Sequence, residues 1–363
     1  MPKKTPFYDL HLTHNAKMAE FAGYLMPIQY RGIVEEHKKV RSSVGIFDLS
    51  HMGEFLVKGK DSQPFLQKVT VNDVNKIQTW QVQYTCMCCP EGGIVDDLLI
   101  YRLPDYWMLV VNASNIEKDF AWLRQNRSGD LTLENVSDQT ALLAIQGPQA
   151  ERVLSKMTDY NLSQLKFYWA AQGKFDDEKI LFSRTGYTGE DGFELYLSPA
   201  QAHRMWNQAL QAGQEAEAEP IGLGARDSLR LEMKYMLYGN DIDKTTNPLE
   251  AGLDWIVKLD KGDFIGRDAI LKVKQNGFKR RLVSFEMLEK AFPRQHYAIT
   301  KAEAKIGEVT SGVFSPSFEK GIGLGYVPSQ YSELGSFFDI QIRDKFYPAQ
   351  VVKAPFWKNF THK

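Results

Sequence analysis

The chain has 363 residues, too many for one ordinary hydrophobic core, and this length predicts two or three domains. Its 43% hydrophobic and 25% charged residues are typical of a globular protein in water. The formal net charge of -1 argues against a surface devoted to nucleic acid, although it leaves room for a local basic patch.

The N-terminal residues 1–6 carry two lysines with no apolar run behind them. No later stretch approaches the ~18–20 consecutive apolar residues that a membrane span needs. We therefore expect no signal peptide, no membrane segment and a cytoplasmic location.

All three cysteines lie together, at Cys86, Cys88 and Cys89. A zinc or iron–sulfur site needs a fourth ligand and a second spaced pair, so we predict no metal site. Alternation of Tyr84, Cys86 and Cys88 along one strand face favours packing as small apolar side chains over a redox role.

Residues 92–101 form the first segment that indicates chemistry. Two glycines precede an apolar run typical of a buried strand, yet Asp96 and Asp97 stand inside it. Side chains alternate along a strand, so the two carboxylates point to opposite faces and cannot form a close catalytic pair. One can face a ligand cavity while the other meets a lobe interface or solvent. Alternatively, both bond to the preceding turn or form ion pairs.

The next segments pair strands with helices that begin at capping signals or at a Gly-Pro turn. The pairs are 106–112 with a helix through 122, 141–148 with 149–157, and 193–197 with a helix starting at Pro199. The first returning strand would bring Asn112 alongside the two aspartates. This arrangement predicts α+β layers rather than a doubly wound sheet.

Residues 184–194 contain three glycines, a tyrosine and three acids. Glycines at that density let the backbone bend sharply and approach a ligand closely. Glu194 is a polar residue among apolar strand neighbours, and it either faces solvent or accepts hydrogen bonds from a ligand.

Residues 222–232 predict a helix with Arg226 near its start. Arg230 and Lys234 follow at four-residue steps, which predicts that they share its side of the helix. A guanidinium at a helix start suits a carbonyl or carboxylate group, whereas a solvated basic face is the alternative.

After Gly277 the chain changes to short strand-like runs without a convincing helix, which is typical of a small barrel or sandwich. The polar segment 272–279 is the expected boundary, between domains at 1–275 and 280–363. The predicted runs are 282–287, 298–300, 306–309, 322–326, 337–342 and 349–352.

Motifs along nearly the whole chain resemble those of the glycine cleavage system T protein, a folate-dependent aminomethyltransferase family. They occur in the order and at the spacing of that family, at 5–8, 47–54, 92–101, 184–194, 222–232, 247–252, 263–267, 310–312 and 353–356. The resemblance implies two ferredoxin-like α+β lobes and a C-terminal small β-barrel lobe around a central folate channel.

The resemblance also implies roles for single residues. Asp96 matches the catalytic aspartate of the family and would accept a hydrogen bond from N10 of tetrahydrofolate. Glu194 matches the glutamate that binds the pterin ring, and Arg226 matches an arginine that contacts folate.

Aromatic side chains are candidates for the walls of a flat ligand slot, although aromatic residues are more often part of a core. Further pocket residues implied by the resemblance are Met52 and Asn112. The aromatic candidates are Tyr187, Tyr235, Tyr238 and Trp255. We interpret His51 as a structural histidine with satisfied hydrogen bonds.

The implied reaction transfers a methylene group from the aminomethylated dihydrolipoyl arm of a carrier (H) protein to tetrahydrofolate, with release of ammonia. The carrier is the expected partner, docking on local basic patches at 279–281 or at Arg226, Arg230 and Lys234. The chain shows no nucleophile–base set of its own, which suits a reaction whose cofactor supplies the nucleophile.

Two alternatives differ in class. A non-catalytic folate-binding paralogue would carry a Lys-Gly-Cys-Tyr-x-Gly-Gln signature, and a flavin-linked oxidase would need a dinucleotide-binding motif; neither pattern occurs. A stand-alone tetrahydrofolate-dependent demethylase stays open on motifs alone.

Overall fold

The computed structural model describes residues 1–362, which form twenty strands and eight α-helices. The helices are α1 (Tyr8–Thr13), α2 (Ile33–Ser42), α3 (Ser62–Val69), α4 (Ile116–Gln125), α5 (Ala150–Leu154), α6 (Ala202–Ala212), α7 (Leu223–Glu232) and α8 (Arg267–Asn276).

The strands before the barrel are β1 (Lys3–Lys4), β2 (Lys17–Phe21), β3 (Tyr24–Gln29), β4 (Gly45–Asp48), β5 (Gly53–Lys58), β6 (Val82–Cys88), β7 (Ile94–Arg102), β8 (Trp107–Val111), β9 (Thr132–Asn135), β10 (Ala141–Gln146), β11 (Ala170–Phe175), β12 (Glu178–Ser183), β13 (Gly192–Leu197) and β14 (Glu219–Pro220). The barrel strands are β15 (Arg280–Met287), β16 (Ala298–Lys301), β17 (Ala304–Ser315), β18 (Lys320–Pro328), β19 (Phe337–Ile342) and β20 (Lys345–Val352).

The first α+β lobe is built on a five-stranded antiparallel sheet with strand order β6-β7-β8-β5-β9. Helices α3 and α4 cover one face, where Phe65 and Leu123 pack against strand residues such as Ile100. The strands form because β-branched and aromatic residues fit a pleated, half-buried surface.

The second lobe contains a six-stranded sheet with order β11-β12-β13-β10-β4-β14 and a cover of α5 and α6. The predicted capping box forms at Ser198 and Gln201 and leads through a 3-10 turn into α6. The N-terminal segment forms a separate three-stranded sheet with strand order β1-β3-β2.

The two large sheets face one another across a shared apolar layer. Tyr101 and Val110 of the five-stranded sheet belong to the same buried cluster as Leu142 and Tyr196 of the six-stranded sheet. One face of each sheet is therefore directed to the middle of the molecule and the other to its helices.

The last lobe is a closed antiparallel barrel with strand order β15-β18-β17-β16-β19-β20. All six predicted strand runs occur, so the α+β and barrel class is confirmed. Helix α8 includes residues 272–276 of the segment expected as a hinge, and the domain bounds 1–275 and 280–363 stay a prediction.

The predicted cysteine alternation is also confirmed. Cys86 and Cys88 are fully buried in the apolar layer that joins β6 to the barrel, and their sulfur atoms lie 4.0 Å apart. Tyr84 packs against the same layer.

Candidate functional site

A large cavity of about 1640 Å³ lies where the two α+β lobes meet the barrel. Its wall includes residues of β7, β13 and α7, together with residues 281–284 and 351–355 of the barrel lobe. Most of the predicted site residues lie on this wall: Met52, Asn112, Tyr187, Glu194, Arg226, Tyr235 and Trp255, together with Tyr238.

The exception is Asp96. The family resemblance implies that it contacts folate and so faces the cavity, but the structure places it elsewhere. The predicted alternation along β7 holds, but Asp97 faces the cavity, whereas Asp96 is fully buried outside its wall. Asp96 points to the helical side of the sheet, where Asn115 at the start of α4 donates to it at 2.7 Å. Because α4 packs on that face of β7, Asp96 is directed toward the helix and Asp97 toward the cavity.

Asp97 is held by two donors. The Tyr84 hydroxyl donates to Asp97 Oδ2 at 2.9 Å, and the Asn112 amide donates to Asp97 Oδ1 at 2.9 Å. Burial and the neighbouring charge of Asp96 raise the pKa of Asp97 to about 7, and these donors only partly oppose the rise. A carboxyl with this pKa can both accept and give a proton near neutral pH.

Asn112 follows β8 directly, as predicted, and connects the two aspartates. Its side-chain amide lies 2.9 Å from Asp96 Oδ1 and 2.9 Å from Asp97 Oδ1. The sequence indicated that Asn112 would lie beside the aspartates, and the structure adds that it bridges them.

Glu194 lies on β13 and is 8% exposed, so its reading as a solvent-facing residue is wrong. Its only hydrogen bond among the described residues comes from the Thr185 hydroxyl at 2.5 Å. Burial raises the pKa of Glu194, opposed by Thr185 and by the charge of Arg226. The carboxyl therefore keeps unused acceptor capacity at the cavity wall.

Arg226 lies in the first turn of α7, with its guanidinium 4.6 Å from the centre of the Tyr187 ring. It forms no ion pair within residues 1–362. A guanidinium that stacks on an aromatic ring and keeps its donors free suits a polar, planar ligand.

The expectation that Arg226, Arg230 and Lys234 share one side of α7 fits the two arginines, which lie four residues apart on the helix, but it is wrong for Lys234. Arg230 is buried and donates to Asp241 at 2.7 Å and to Ser311 of the barrel at 2.7 Å. Lys234 follows the end of α7 in a left-handed conformation, with φ of 58°, so helical spacing does not apply to it. These three residues consequently cannot form one exposed basic patch.

Two stacked aromatic pairs border the cavity. Tyr187 and Tyr235 stack with ring centres 5.6 Å apart, and Tyr84 and Trp255 stack at 5.8 Å. Trp255 is 58% exposed, whereas Tyr187 is anchored by donating to the Met236 carbonyl oxygen. The first pair forms a rigid inner wall and the second reaches the rim.

The glycine-rich segment 184–194 mainly supports the wall. The buried Arg184 guanidinium pairs with Asp191 at 2.6 Å, and Glu190 pairs with Arg41 at 2.8 Å. Gly189 adopts φ of 84° beside the Met233 side chain, where a Cβ atom would clash. Of the three acids in the segment, Glu194 alone lies on the cavity wall.

His51 departs from the interpretation as a satisfied structural residue. It lies on the cavity wall, its buried Nδ1 atom has no hydrogen-bond partner within residues 1–362, and Phe21 contacts its ring edge to face. Burial and the charge of Arg226 lower the pKa of His51 to about 4, so the ring is neutral at pH 7. A neutral imidazole can either donate or accept toward a ligand.

Sequence reasoning also missed Tyr84 and Tyr168. Tyr84 was read only as packing, although it donates to Asp97. Tyr168 lies on the cavity wall with φ of 62°, an uncommon conformation for an aromatic residue, and no local pattern marked it.

Within residues 1–362, no cluster of three or more histidine, cysteine, aspartate or glutamate side chains has a metal-binding arrangement. No helix in this range is both long and apolar enough to cross a membrane.

Comparison with known proteins identifies matches over nearly the whole chain. Residues 7–261 match the model of the GCVT N-terminal domain, and residues 280–358 match the glycine cleavage T-protein C-terminal barrel domain. An aminomethyltransferase of Desulfitobacterium hafniense is 49% identical over 98% of both chains, and one of Bacteroides fragilis is 51% identical over 98% of this chain and 100% of the relative.

A solved structure agrees with these matches. The crystal structure of glycine cleavage system aminomethyltransferase T from Bartonella henselae superposes with a TM-score of 0.94 and 34% identity, covering 100% of both chains.

Proposed function

The chain belongs to the glycine cleavage T-protein family and is an aminomethyltransferase, and from this premise we propose that tetrahydrofolate is its acceptor substrate and binds in the central cavity. The donor is an S-aminomethyl group on the dihydrolipoyl arm of the carrier (H) protein. Folate nitrogens N5 and N10 take the methylene carbon, and the products are ammonia, the dihydrolipoyl thiol and 5,10-methylenetetrahydrofolate.

The main observation in support is the cavity itself. Its volume of about 1640 Å³ exceeds the ~300–1,000 Å³ of an ordinary small-molecule site. The space suffices for a folate molecule together with the end of a lipoyl arm. All three lobes contribute wall residues, so the two substrates meet away from bulk water.

We assign pterin binding to Glu194 and Arg226. A pterin presents a ring N–H beside an exocyclic amine, and one carboxylate can accept both. Glu194 has the free acceptor capacity for this, and the guanidinium of Arg226 supplies donors for a ring carbonyl. Tyr187 and Tyr235 lie where a flat ring system would find an aromatic wall.

We assign the orienting and proton-accepting role to Asp97 rather than Asp96. Asp97 lies on the cavity wall with a pKa of about 7, so it can accept a hydrogen bond from a folate nitrogen and take up a proton during attack. Asn112 and Tyr84 hold the carboxyl in place. Met52 and Trp255 supply further apolar contacts on the cavity wall.

The protein needs no nucleophile of its own in this reaction because folate supplies it. The contribution of the chain is to hold the folate nitrogen beside the methylene carbon, to manage one proton at Asp97, and to keep hydroxide from capturing the iminium-like carbon. The predicted cytoplasmic location stays a prediction.

We propose that the carrier docks near the basic run Lys279, Arg280 and Arg281. Arg281 is exposed and also borders the cavity, so a carrier held there could reach inward with its arm. The alternative patch around Arg226 and Arg230 is excluded because Arg230 is buried. A contact that must release after each turnover should be small and sensitive to salt.

The test is ammonia release from aminomethylated carrier protein with and without tetrahydrofolate. We expect rapid release only when folate is present, with one 5,10-methylenetetrahydrofolate formed per ammonia. Folate-independent release at the same rate, or transfer from a methylated amine without ammonia, would contradict the proposal. Free aminomethylated lipoamide is the control substrate for carrier docking. Its turnover should depend less on salt concentration than the turnover of the carrier-bound form.

A further inference from the structure

The carboxyl of Glu194 lies at the end of a chain of four hydroxyl groups. Thr185 donates to Glu194 Oε2 at 2.5 Å, and the Ser183 hydroxyl lies 2.6 Å from that of Thr185. The Tyr101 hydroxyl lies 3.2 Å from Ser183 Oγ, and the Tyr196 hydroxyl lies 2.7 Å from that of Tyr101. All five side chains are buried, so bulk water has little access to the chain.

Strand pairing brings these groups together. Ser183 on β12 stands directly opposite Glu194 on β13, and Tyr196 follows two residues later on the same face of β13. Tyr101 comes from the other lobe, where it lies on the same face of β7 as Asp97. Its ring meets the Tyr196 ring edge to face, with 5.6 Å between the centres. The hydroxyl chain therefore joins the first lobe to the proposed pterin-binding carboxyl.

The outer end of the chain fixes the direction of its protons. The Tyr196 hydroxyl has no hydrogen-bond partner other than Tyr101 within residues 1–362, so its proton is used on Tyr101. Tyr101 is then left to donate to Ser183, and Ser183 to Thr185, whose proton goes to Glu194. Burial raises the pKa of both tyrosines, so each keeps its proton at neutral pH.

The opposite direction is unfavourable. It would begin with a protonated Glu194 and would leave the buried Tyr196 proton without an acceptor. Each hydroxyl consequently donates toward Glu194, and hydrogen bonds aligned in one direction strengthen one another.

The charge of Glu194 matters for the ligand. Thr185 binds Oε2, whereas Oε1 receives no hydrogen bond within residues 1–362. A protonated carboxyl would turn an O–H group toward the two N–H donors of a pterin, but the anion can accept from both. The binding assigned to Glu194 thus requires that it stays charged.

We propose that Tyr196, Tyr101, Ser183 and Thr185 form a hydroxyl relay that keeps Glu194 charged and in one orientation, ready for a ligand with two adjacent N–H donors. The four are positioning residues, because none of them lies on the cavity wall. Their effect on folate affinity rests on the proposed function. Their effect on the charge of Glu194 does not, because that charge can be measured without ligand.

Other titratable groups near Glu194 bear on its charge. Arg226 on α7 is the only cation among them and favours the charged carboxyl, as Thr185 does, against the effect of burial on the pKa. Burial raises the pKa values of Glu54 on β5 and of Tyr168, so both keep their protons more tightly. On the cavity wall, His51 is neutral at pH 7 and Asp97 titrates near pH 7.

The direct test is a carboxyl ¹³C NMR titration of ligand-free protein labelled at glutamate Cδ, with the Glu194 signal identified by its loss in Glu194→Gln. In the unsubstituted protein, Glu194 should be charged at pH 7. A Glu194 signal that stays in the protonated position at pH 7 would overturn the proposal before any relay variant is made.

Substitutions along the relay should have graded effects. Thr185→Val keeps the shape but removes the donor to Glu194, so the Glu194 midpoint should rise by about one to two pH units. Thr185→Ser restores the hydroxyl and should leave the midpoint in place. Tyr101→Phe acts further from the carboxyl and should raise the midpoint less. An unchanged midpoint in folded Thr185→Val, or equal rises in Thr185→Val and Tyr101→Phe, would contradict the proposal.

Tetrahydrofolate affinity, measured by calorimetry between pH 6 and pH 9, is the second readout. Thr185→Val should bind about tenfold more weakly than the unsubstituted protein at pH 6 and should approach it by pH 9, where Glu194 is charged in both. Thr188→Val is the matched control: its buried hydroxyl lies in the same segment but donates to Gln146, so affinity should be unchanged. The Asp97 titration is common to all three proteins and cancels in the comparison.

The two readouts separate this proposal from the proposed function. A midpoint shift in a protein that does not bind tetrahydrofolate would refute the proposed function but not the relay. Tetrahydrofolate binding that is weakened equally at every pH in Thr185→Val, with no shift of the midpoint, would refute the relay and leave Thr185 with only a structural role.

Discussion

Two carboxyl sites of this molecule, one at the cavity wall and one in the interior, differ in their hydrogen bonding and neighbouring charges. At the cavity wall, burial raises the pKa of both Asp97 and Glu194, and few donors oppose it. At the junction of α2, α7 and the barrel, Glu232 is also fully buried, yet its pKa is lowered to about 2.

The difference lies in the donors around Glu232. Arg41 donates to it at 2.8 Å, Ser315 at 2.5 Å and Ser317 at 2.9 Å, while His37 Nε2 lies 3.2 Å away. Burial alone would raise the pKa of Glu232, but the hydrogen bond from His37 and the charge of Arg41 outweigh it. Burial alone therefore does not decide the charge of a carboxyl; the donors and the neighbouring charges around it decide it as well.

The difference between the two sites suggests that Glu232 serves stability, whereas Asp97 and Glu194 serve function. The junction satisfies its carboxylate completely and joins three elements, whereas the cavity wall leaves oxygen atoms of Asp97 and Glu194 available for a ligand. Substitutions at the two sites should accordingly affect different measurements.

The largest effect is expected for Glu232→Gln. The amide removes one of the two carboxylates that pair with the buried guanidinium of Arg41, the other being Glu190, and it turns a donor toward the hydroxyls of Ser315 and Ser317. These losses should lower the free energy of unfolding by about 3–5 kcal/mol. Urea unfolding monitored by circular dichroism measures this loss of stability. Glu215→Gln, at a surface ion pair with Arg152, is the control and should leave the midpoint unchanged. Equal stability of the two variants would contradict a stabilising role for Glu232.

Asp97→Asn should have the next largest effect, on activity rather than stability. Loss of the group that accepts a proton should lower kcat about a hundredfold, or about 2.7 kcal/mol on the barrier, while the fold is retained. Asp96→Asn should instead lower stability because the new amide faces the Asn112 and Asn115 donors. If Asp96→Asn has the greater effect on kcat at equal stability, the assignment of Asp97 is wrong.

Glu194→Gln should weaken folate binding by about 1–3 kcal/mol, because the amide presents a donor to the donors of the pterin. Isothermal titration calorimetry with tetrahydrofolate measures this loss. Glu134→Gln on the exposed part of β9 is the control for a lost surface charge. Unchanged affinity in Glu194→Gln would exclude Glu194 from the pterin site.

The smallest effect is a pH dependence of stability. The pKa of Asp97 is raised from its ordinary 3.8 to about 7 in the folded state, so its stabilising contribution is present below pH 3.8 and is lost as pH rises through 7. Between pH 6 and pH 8 the loss should be about 1 kcal/mol in the native protein and absent in Asp97→Asn. Urea unfolding at the two pH values provides the comparison, and parallel losses in both proteins would contradict it.

The opposite sign is expected at Glu232. Its lowered pKa means that its contribution is present above pH 4.5 and is lost as the pH falls toward 2. Acid unfolding in that window should thus be less steep in Glu232→Gln, which has no proton to gain.

Local sequence patterns predicted much of this fold. The six barrel strands, the alternation of Asp96 and Asp97 along β7, and the capping box before α6 all depend on neighbours within a few residues. Strand periodicity and turn chemistry are local properties, and the structure has them as predicted. Most cavity residues were not predicted from such local patterns; they were predicted from motifs that resemble those of one family.

Other features depended on contacts between distant segments, and local patterns could not supply them. Helical spacing predicts that Arg230 lies on the same side of α7 as Arg226, but it could not show that Arg230 is buried and bonds to Asp241 and to Ser311 of the barrel. His51 was read as satisfied, although no donor or acceptor of the folded chain reaches its Nδ1 atom within residues 1–362.

The sequence by itself determined most element types and the fact that the two aspartates of β7 point in opposite directions, because these follow from backbone geometry and local hydrophobic periodicity. The strand runs after Gly277 fit a barrel or a sandwich, and the family resemblance implied the barrel. The tertiary structure alone decided which of the two faces the cavity, since α4 brings Asn115 to one face of β7 while the second lobe leaves the other face open. Packing between distant elements sets the donors and the neighbouring charges at each of these carboxyls, and together they decide which carboxyl stays charged and which can hold a proton.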